Sequence, residues 1–330
     1  MDPTREHLDQ LLLQIGISAY VLAALALFAY FLMRRPLLRT IGIPLAALGC
    51  VAQLAELGAR WWMTGVWPLT NLYGSLSLFS AVSAAIFLLF TIRYDLAFIG
   101  GFVMTFAALA FTYGTTWNEG TMPAVPALQS YWIKIHVPIV ISAYASFMVA
   151  FCVALIYLVK AAAESRYARR QFAADAAAQP PGRGSAATAY YATRSRELTA
   201  GFTRDDTPAI STAAASGDAT AQWLAGLPSL AKLDVMQYRI VAVGWPLLAL
   251  GIITGAMWAK EAWGAYWQWD PKETAALISW IVYAVYIHLH TRPDYRGNVT
   301  TWINVVGFLS IVFCYLGVNI FISGLHSYKM

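Results

Sequence analysis

The sequence predicts an all-α, polytopic transmembrane helical bundle with about eight spans. Of its 330 residues, 59% are hydrophobic and 12% are charged, and the mean hydropathy is +0.56. Soluble domains carry about a quarter charged residues. This composition excludes a soluble enzyme, a disordered protein and a disulfide-stapled secreted domain. The 22 basic and 17 acidic residues leave too small a surplus of positive charge to indicate a nucleic-acid partner.

Eight apolar runs approach the length of about 20 residues that a membrane crossing needs. Lipid favours helices for such runs because it offers no hydrogen-bond partner to open backbone. The second and seventh runs are short. The polar tail before the first run lacks a basic region, and no small-residue cleavage pattern follows that run, so we expect a retained span rather than a signal peptide. The runs are 11–33, 41–57, 72–92, 96–113, 135–159, 240–259, 274–290 and 301–323.

The charges between the spans predict their orientation. Arg34 and Arg35 directly follow the first span, and basic residues next to a first span favour the cytoplasmic side. Both termini are therefore expected on the outer, periplasmic side. The chain then divides into five spans within 1–159, a cytoplasmic linker at 160–239 and three spans within 240–330.

The linker is rich in Ala, Ser, Thr, Gly and Pro. Such a composition cannot bury a core, so we expect this segment to be largely disordered. Its last part, 222–239, has two possible structures: a short amphipathic piece along the inner interface, or a continuation of the linker.

The tryptophans are concentrated on the predicted outer side. An interfacial aromatic belt would populate both membrane surfaces. The asymmetry instead favours a dedicated aromatic surface, which would suit a large, flat, apolar ligand. Nine of the 13 tryptophans lie on or near that side: Trp61, Trp62, Trp67, Trp117, Trp132, Trp258, Trp263, Trp267 and Trp269.

The densest aromatic stretch, 263–273, forms the predicted outer loop between the sixth and seventh spans. Asp270, Pro271 and Glu273 fit the N-cap, first and third positions of the seventh helix. We therefore interpret Asp270 as a helix cap rather than a catalytic acid. The cap would fix the angle at which the tryptophans leave the membrane.

Two histidines lie at the same predicted depth on either side of this loop in the sequence. His136 lies at the outer mouth of the fifth span, and His326 lies just beyond the eighth. Each alone is more often an interfacial histidine than a ligand. Together, two neutral imidazoles beside a tryptophan surface could supply both axial ligands of haem iron.

A further histidine, His288, lies inside the seventh span, roughly 21 Å below its outer end at about 1.5 Å per residue. An ionisable residue at that depth indicates a functional site. His290 lies about 200° further around the helix, so the two side chains cannot both face the bundle easily. A single histidine is half of a haem site, and its second ligand must come from elsewhere in this chain or from a partner.

Two charged residues near the outer end of the second span have open interpretations. Glu56 is expected to snorkel to the interface, with a proton-linked or propionate-linked role as the alternative. Arg60 is a candidate contact for a haem propionate.

The motifs resemble those of a known family. The chain resembles the CcsA type, also called the ResC type, of cytochrome c biogenesis protein of the System II pathway, from about residue 50 to its end except in the linker. It departs from that family at Gly74, where Glu is usual, and at Ala275, where Trp is frequent. The motif that carries the likeness is the tryptophan-rich "WWD" signature of haem-handling membrane proteins, Trp263-Gly-x-x-Trp267-x-Trp269-Asp270-Pro271-Lys272-Glu273. Two further motifs support it, Pro68-Leu-Thr-Asn71-Leu-Tyr73 and Gly324-Leu-His326-Ser327-Tyr328.

This resemblance implies haem delivery across the membrane and covalent attachment to the C-x-x-C-H segments of apocytochrome c, in a synthase subunit. It implies haem b as a transiently bound substrate, and a bacterial inner membrane or a thylakoid-type membrane as the location. His136 and His326 would ligate external haem. His288 would ligate internal haem, with the second histidine supplied by a ResB-type partner. The residues expected around the external macrocycle are Trp263, Tyr266, Trp267, Trp269 and Asp270. No catalytic residue is assigned.

Two other functions remain open at this point. A bis-His electron-transfer cytochrome would keep its haem permanently, but it normally needs two histidine pairs at stacked depths. A haem exporter without attachment activity would need the same ligands as an attachment subunit, so the sequence does not separate these two functions.

Overall fold

The computed structural model describes residues 3–117, 126–178, 217–318 and 322, and all regular elements within these ranges are helical. This confirms the predicted all-α class. The α-helices of the described ranges are α1 (Pro3–Met33), α2 (Pro36–Thr64), α3 (Leu72–Tyr94), α4 (Gly100–Thr115), α5 (Tyr131–Ala178), α6 (Ala219–Ala225), α7 (Leu230–Trp263), α8 (Pro271–His290) and α9 (Asn298–Val312). A π-helical turn, Phe313–Gly317, continues α9.

Seven helices within the described ranges are long and apolar enough to cross a membrane, judged by length and composition. Helix α8 corresponds to the predicted seventh span but does not belong to this set. Its 20 residues are sufficient for a crossing. Lys272, Glu273, His288 and His290 lower its mean hydropathy. The bundle is that of a multi-pass membrane protein.

The long helices alternate in direction, so their connections gather at two ends of the bundle. The tryptophan end holds the connections at 65–71 and 264–270 together with the segment 126–130. The opposite end holds the connections at 34–35 and 291–297.

Helix α5 packs along α7, α1 packs against α2, and α3 contacts both α4 and α5. Small residues allow these close approaches, as is usual between transmembrane helices. A Cβ atom at Gly49 would lie 2.6 Å from the ring of Tyr20. The hydroxyl of Tyr20 donates to Oε1 of Gln53 at 2.7 Å, which satisfies a polar group inside the bundle.

The predicted linker 160–239 is helical at both of its ends. Helix α5 continues to Ala178, and α6 and the start of α7 lie before residue 240; residues 179–216 lie outside the described residues. The physical reason is local, because the stretch that extends α5 is rich in alanine, the strongest helix former. The ammonium of Lys160 donates to the carbonyl of Pro228 at 2.8 Å, which ties the two ends of the segment together.

Glu56 does not snorkel, so that expectation is wrong. Its side chain is fully buried and accepts a hydrogen bond from the hydroxyl of Tyr73 at 2.7 Å. It also pairs with Arg60, whose guanidinium binds Asp9 through bonds of 2.9 and 2.6 Å. The positive charge of Arg60 is thus shared by two carboxylates that join α1 to α2.

Candidate functional site at the tryptophan end

The loop between α7 and α8 is held at both of its ends. Gly264 ends α7 in the left-handed region, at φ 84°, which favours glycine. The ammonium of Lys260 donates to the carbonyl of Gly264 at 2.9 Å. The aromatic residues of the loop therefore lie between two anchored helix ends.

Asp270 begins α8 as its N-cap, as predicted. Its Oδ1 atom accepts a hydrogen bond from the backbone N–H of Lys272 at 3.0 Å. The carboxylate of Glu273 accepts from the backbone N–H groups of Asp270 and Gln268, at 3.2 and 2.9 Å. This capping box satisfies N–H groups that a helix leaves without partners, and it confirms the interpretation of Asp270 as a cap.

The cap predicts a graded response to substitution. Asp270→Asn should retain most of the thermal stability in detergent, because Asn caps helices about as well as Asp. Asp270→Ala should cost about 0.5–2 kcal/mol of unfolding free energy, the range measured for lost caps. Equal and complete loss of function in both variants would contradict a capping role and indicate a need for the charge.

His136 lies near the start of α5 with its ring orientation fixed by α7. Its Nδ1 atom lies 2.8 Å from the carbonyl oxygen of Gly251. A carbonyl only accepts, so Nδ1 donates, and in the neutral imidazole Nε2 then carries the lone pair. Histidines that bind metals commonly hold their second nitrogen in this way. The described contacts thus favour the tautomer that ligates through Nε2.

Helix α7 makes room for this imidazole. A Cβ atom at Gly255 would lie 2.8 Å from Cε1 of His136, so only glycine fits there without a shift. The indole of Trp258 lies nearly parallel to the imidazole, with 6.2 Å between the ring centroids and an angle of 16°. The imidazole therefore lies against glycine and tryptophan on one helix face.

A mostly apolar cavity of about 170 Å³ lies beside His136. Helices α3, α5, α7, α8 and the α7–α8 loop contribute its walls, which include Tyr266, Trp267 and Lys272. Pockets that enclose a drug-sized ligand usually measure roughly 300–1,000 Å³. The cavity can therefore take one edge of a large ligand, and the remainder would lie against the loop.

The other loop aromatics lie around this cavity rather than in it. Trp263 packs edge-on against Trp258, behind His136, with centroids 4.8 Å apart. Trp267 and Trp269 are perpendicular with centroids 5.6 Å apart. Trp269 is 69% exposed and has φ 57°, a conformation that is uncommon for a bulky residue. The loop thus presents an exposed indole next to Trp267, which lines the cavity.

The structure brings some predicted site residues together and separates others. His136, Tyr266 and Trp267 line one cavity, while Asp270 lies buried in the helix cap. His326 lies outside the described residues.

His288 lies at the opposite end of the bundle, and its side chain is exposed. It shares the outward face of α8 with Ile281 and Val285. His290 faces the interior, where its Nε2 lies 3.0 Å from Oδ2 of Asp234. Of the two histidines, His290 is therefore the one that points into the bundle.

Three residues of α7 complete the site, Gly251, Gly255 and Trp258; of these only Trp258 was named from the sequence, as one of the outer tryptophans. Their spacing of four and three residues places them on one helix face. Two glycines four apart are also a signature of close helix packing in membranes. This spacing could have indicated the helix against which His136 lies.

Fold and site define a polytopic helical membrane protein with an oriented imidazole beside an aromatic loop at one end. Residues 69–326 match the profile described as "Cytochrome C assembly protein". The chain therefore belongs to the cytochrome c assembly protein family.

Relatives described as "Cytochrome c biogenesis protein CcsA" support the same assignment and confirm the resemblance to the CcsA type. The protein of Microcystis aeruginosa is 37% identical over 303 residues, which cover 89% of this chain and 88% of the relative. That of Guillardia theta is 32% identical over 295 residues, covering 87% and 85%.

A solved structure described as "Cytochrome c Heme Lyase CcmF" shares the fold, with a TM-score of 0.59 and 15% sequence identity. The match covers 94% of this chain and 46% of that one, so the chain spans about half the length of this structural neighbour. At this identity the likeness supports the fold alone.

Proposed function

We propose that this protein binds haem at the tryptophan end and takes part in attaching it covalently to apocytochrome c, as a subunit of a System II synthase. The main support for this function is the orientation of His136 and its place beside the cavity. Its Nδ1 atom is bound to the Gly251 carbonyl, and the ring lies at an apolar cavity with tryptophan in its wall. Because the chain belongs to the cytochrome c assembly family, haem is the ligand that we propose for this site.

The chemistry of the donor set fits haem better than a bare metal ion. Among the described residues, no three His, Cys, Asp or Glu side chains cluster as a metal site. A haem iron needs only axial ligands from the protein, and one neutral imidazole supplies one of them. His326 is the proposed second ligand. The indoles of Trp267 and Trp269 offer flat apolar surface to the macrocycle.

The residues of this chain would position the reactants rather than exchange protons with them. Attachment adds each thiol S–H of the C-x-x-C-H segment across a haem vinyl C=C bond. One S–C bond forms, the hydrogen goes to the other vinyl carbon, and no group leaves. Fixing haem beside a docking surface lowers the entropic barrier of this addition, and Trp269 is exposed at the place where the client would arrive.

The outward position of His288 supports a shared internal site. An imidazole on the exposed side of α8 can pair with a histidine of a second chain, and a ResB-type protein is the proposed partner. The substrate is proposed to be haem b, received at His288 and passed to His136. The proposed location is the bacterial inner membrane, with a thylakoid-type membrane as the alternative and both termini on the outer side.

Two alternatives give different experimental results. An exporter would deliver haem without forming thioethers, and an electron-transfer cytochrome would keep haem permanently. Family membership does not favour the cytochrome.

Co-expression with a ResB-type partner and an apocytochrome c tests the proposed function. Covalent haem on the client, detected after denaturing electrophoresis, is expected only when this chain is present. A client with both cysteines changed to alanine is the control. Haem that crosses the membrane but leaves the wild-type client unmodified would contradict attachment and support export.

A further inference from the structure

Two exposed arginines from different helices meet at the end of the bundle opposite the tryptophans. Arg93 lies in the last turn of α3, and Arg239 lies in the first third of α7. Arg93 directly follows the apolar run 72–92, and Arg239 directly precedes the apolar run 240–259. Both side chains therefore start where the apolar part of a spanning helix ends, at the depth of the lipid headgroups.

One aromatic ring brings the two side chains together. The guanidinium carbon of Arg93 lies 5.4 Å from the ring centroid of Tyr94, and that of Arg239 lies 5.0 Å from the same centroid. The two guanidinium carbons are therefore at most about 10 Å apart, the sum of these distances. The ring of Phe90 packs against Tyr94, with 5.6 Å between the centroids. Because the face of a tyrosine attracts cations, Tyr94 gathers two positive charges from two helices.

Carboxylates do not neutralise this pair. Within the described ranges, neither arginine forms an ion pair with an acidic side chain. The acidic residues nearest to them in the sequence are engaged elsewhere: Asp95 with Arg39 at 2.9 Å, and Asp234 with His290 at 3.0 Å. Two guanidinium groups at this separation favour an anion that contacts both, and the planar N–H fork of arginine suits a phosphate.

Exposed apolar side chains lie one helical turn further into the membrane from each arginine. Leu89 is four residues before Arg93, and Val243 is four residues after Arg239. Residues four apart share a helix face. Each arginine is thus followed, toward the bilayer interior, by an apolar surface. A phospholipid has the same order, with its phosphate above its acyl chains.

We propose that Arg93 and Arg239 together bind the phosphate of an anionic phospholipid, whose acyl chains lie on the apolar faces of α3 and α7. Basic pockets between transmembrane helices bind such headgroups. A zwitterionic lipid fits less well, because its amine would meet two positive charges. The bound lipid connects the first five spans with the last three. This inference does not depend on the proposed function.

Lipid binding by the purified full-length chain in detergent tests the proposal. Native mass spectrometry measures its affinities for phosphatidylglycerol and for phosphatidylcholine with identical acyl chains. One basic residue near an anionic headgroup contributes about fivefold in affinity, so wild type should prefer phosphatidylglycerol by roughly 25-fold. Arg93→Gln and Arg239→Gln should each lower this preference about fivefold, and the double variant should bind both lipids equally.

Arg35→Gln is the matched control. Arg35 is exposed at the same end of the bundle. In the part of the chain that the structure describes, Tyr94 has cation–π contacts with Arg93 and Arg239 but not with Arg35. The control should keep the full preference. Tyr94→Leu should lower the preference and Tyr94→Phe should keep it, because a phenyl face also attracts cations. The affinity for phosphatidylcholine reports on folding and should be the same in every variant.

Three results would overturn the proposal. Equal affinities of wild type for the two lipids would do so, as would an undiminished preference in the double variant. An equal fall in Arg35→Gln and Arg93→Gln would show that charge anywhere at this end suffices. Inorganic phosphate at the same concentration as the lipid should not displace it. Displacement would contradict the lipid assignment and indicate a site for free anions.

Discussion

Replacing His136 with alanine should abolish maturation of cytochrome c and remove the haem of the tryptophan end. The imidazole lies beside the cavity in a fixed orientation, because the Gly251 carbonyl accepts a hydrogen bond from its Nδ1 atom. Gly255 and Trp258 flank the ring. Losing a residue that only supports a ligand commonly costs 10- to 100-fold in metal affinity. Losing the ligand itself should lower haem affinity by roughly 100-fold or more. The measurements are the haem content of the purified protein and the amount of client cytochrome that carries covalent haem.

His7→Ala is the control, because His7 is exposed near the start of α1 and does not line the cavity. This variant should mature cytochrome c at the wild-type level. His136→Gly with added imidazole should recover part of the haem signal, which a general loss of folding would not allow. Unchanged maturation in His136→Ala would show that the ligand assignment is wrong.

Replacing Arg60 with alanine should strongly destabilise the bundle. Glu56 is fully buried, and Arg60 is its cationic partner as well as the partner of Asp9 on α1. Removing one member of a buried ion pair leaves an uncompensated charge and typically costs about 3–5 kcal/mol. Thermal or denaturant unfolding in detergent measures the loss.

An exposed ion pair offers a direct comparison. Arg39 and Asp95 pair at 2.9 Å with side chains that are 41% and 60% exposed. Arg39→Ala should cost about 0–1 kcal/mol, as surface pairs usually do. Combining Arg60→Met with Glu56→Gln should recover part of the stability lost in Arg60→Ala, since the buried charge disappears. Similar losses for Arg39→Ala and Arg60→Ala would contradict this account.

Features that depend on local rules could be predicted from the sequence. The cap at Asp270 follows from the spacing of three neighbouring residues, and the structure confirms it. The all-α bundle follows from composition and run length, and it is confirmed as well. The loop motif also led to the cytochrome c assembly protein family, to which the chain belongs.

Features that depend on distant partners could not be predicted in this way. The rotation of α8, which turns His290 inward and His288 outward, is set by contacts such as that with Asp234 on α7. The burial of Glu56 depends on Tyr73 and on Arg60, which is itself bound to Asp9 at the start of the chain. The helical extension of α5 beyond residue 160 was not predicted because an alanine-rich composition was interpreted as low complexity, whereas a short amphipathic piece within 222–239 was one of the two structures left open.

We propose that haem occupies two sites, one ligated by His136 and one by His288. A reduced-minus-oxidised visible spectrum of the purified complex with a ResB-type partner tests it most directly. Wild type should show low-spin bis-His haem, each of His136→Ala and His288→Ala should lose part of that signal, and the double variant should lose all of it. Full haem content in a folded double variant would contradict the account.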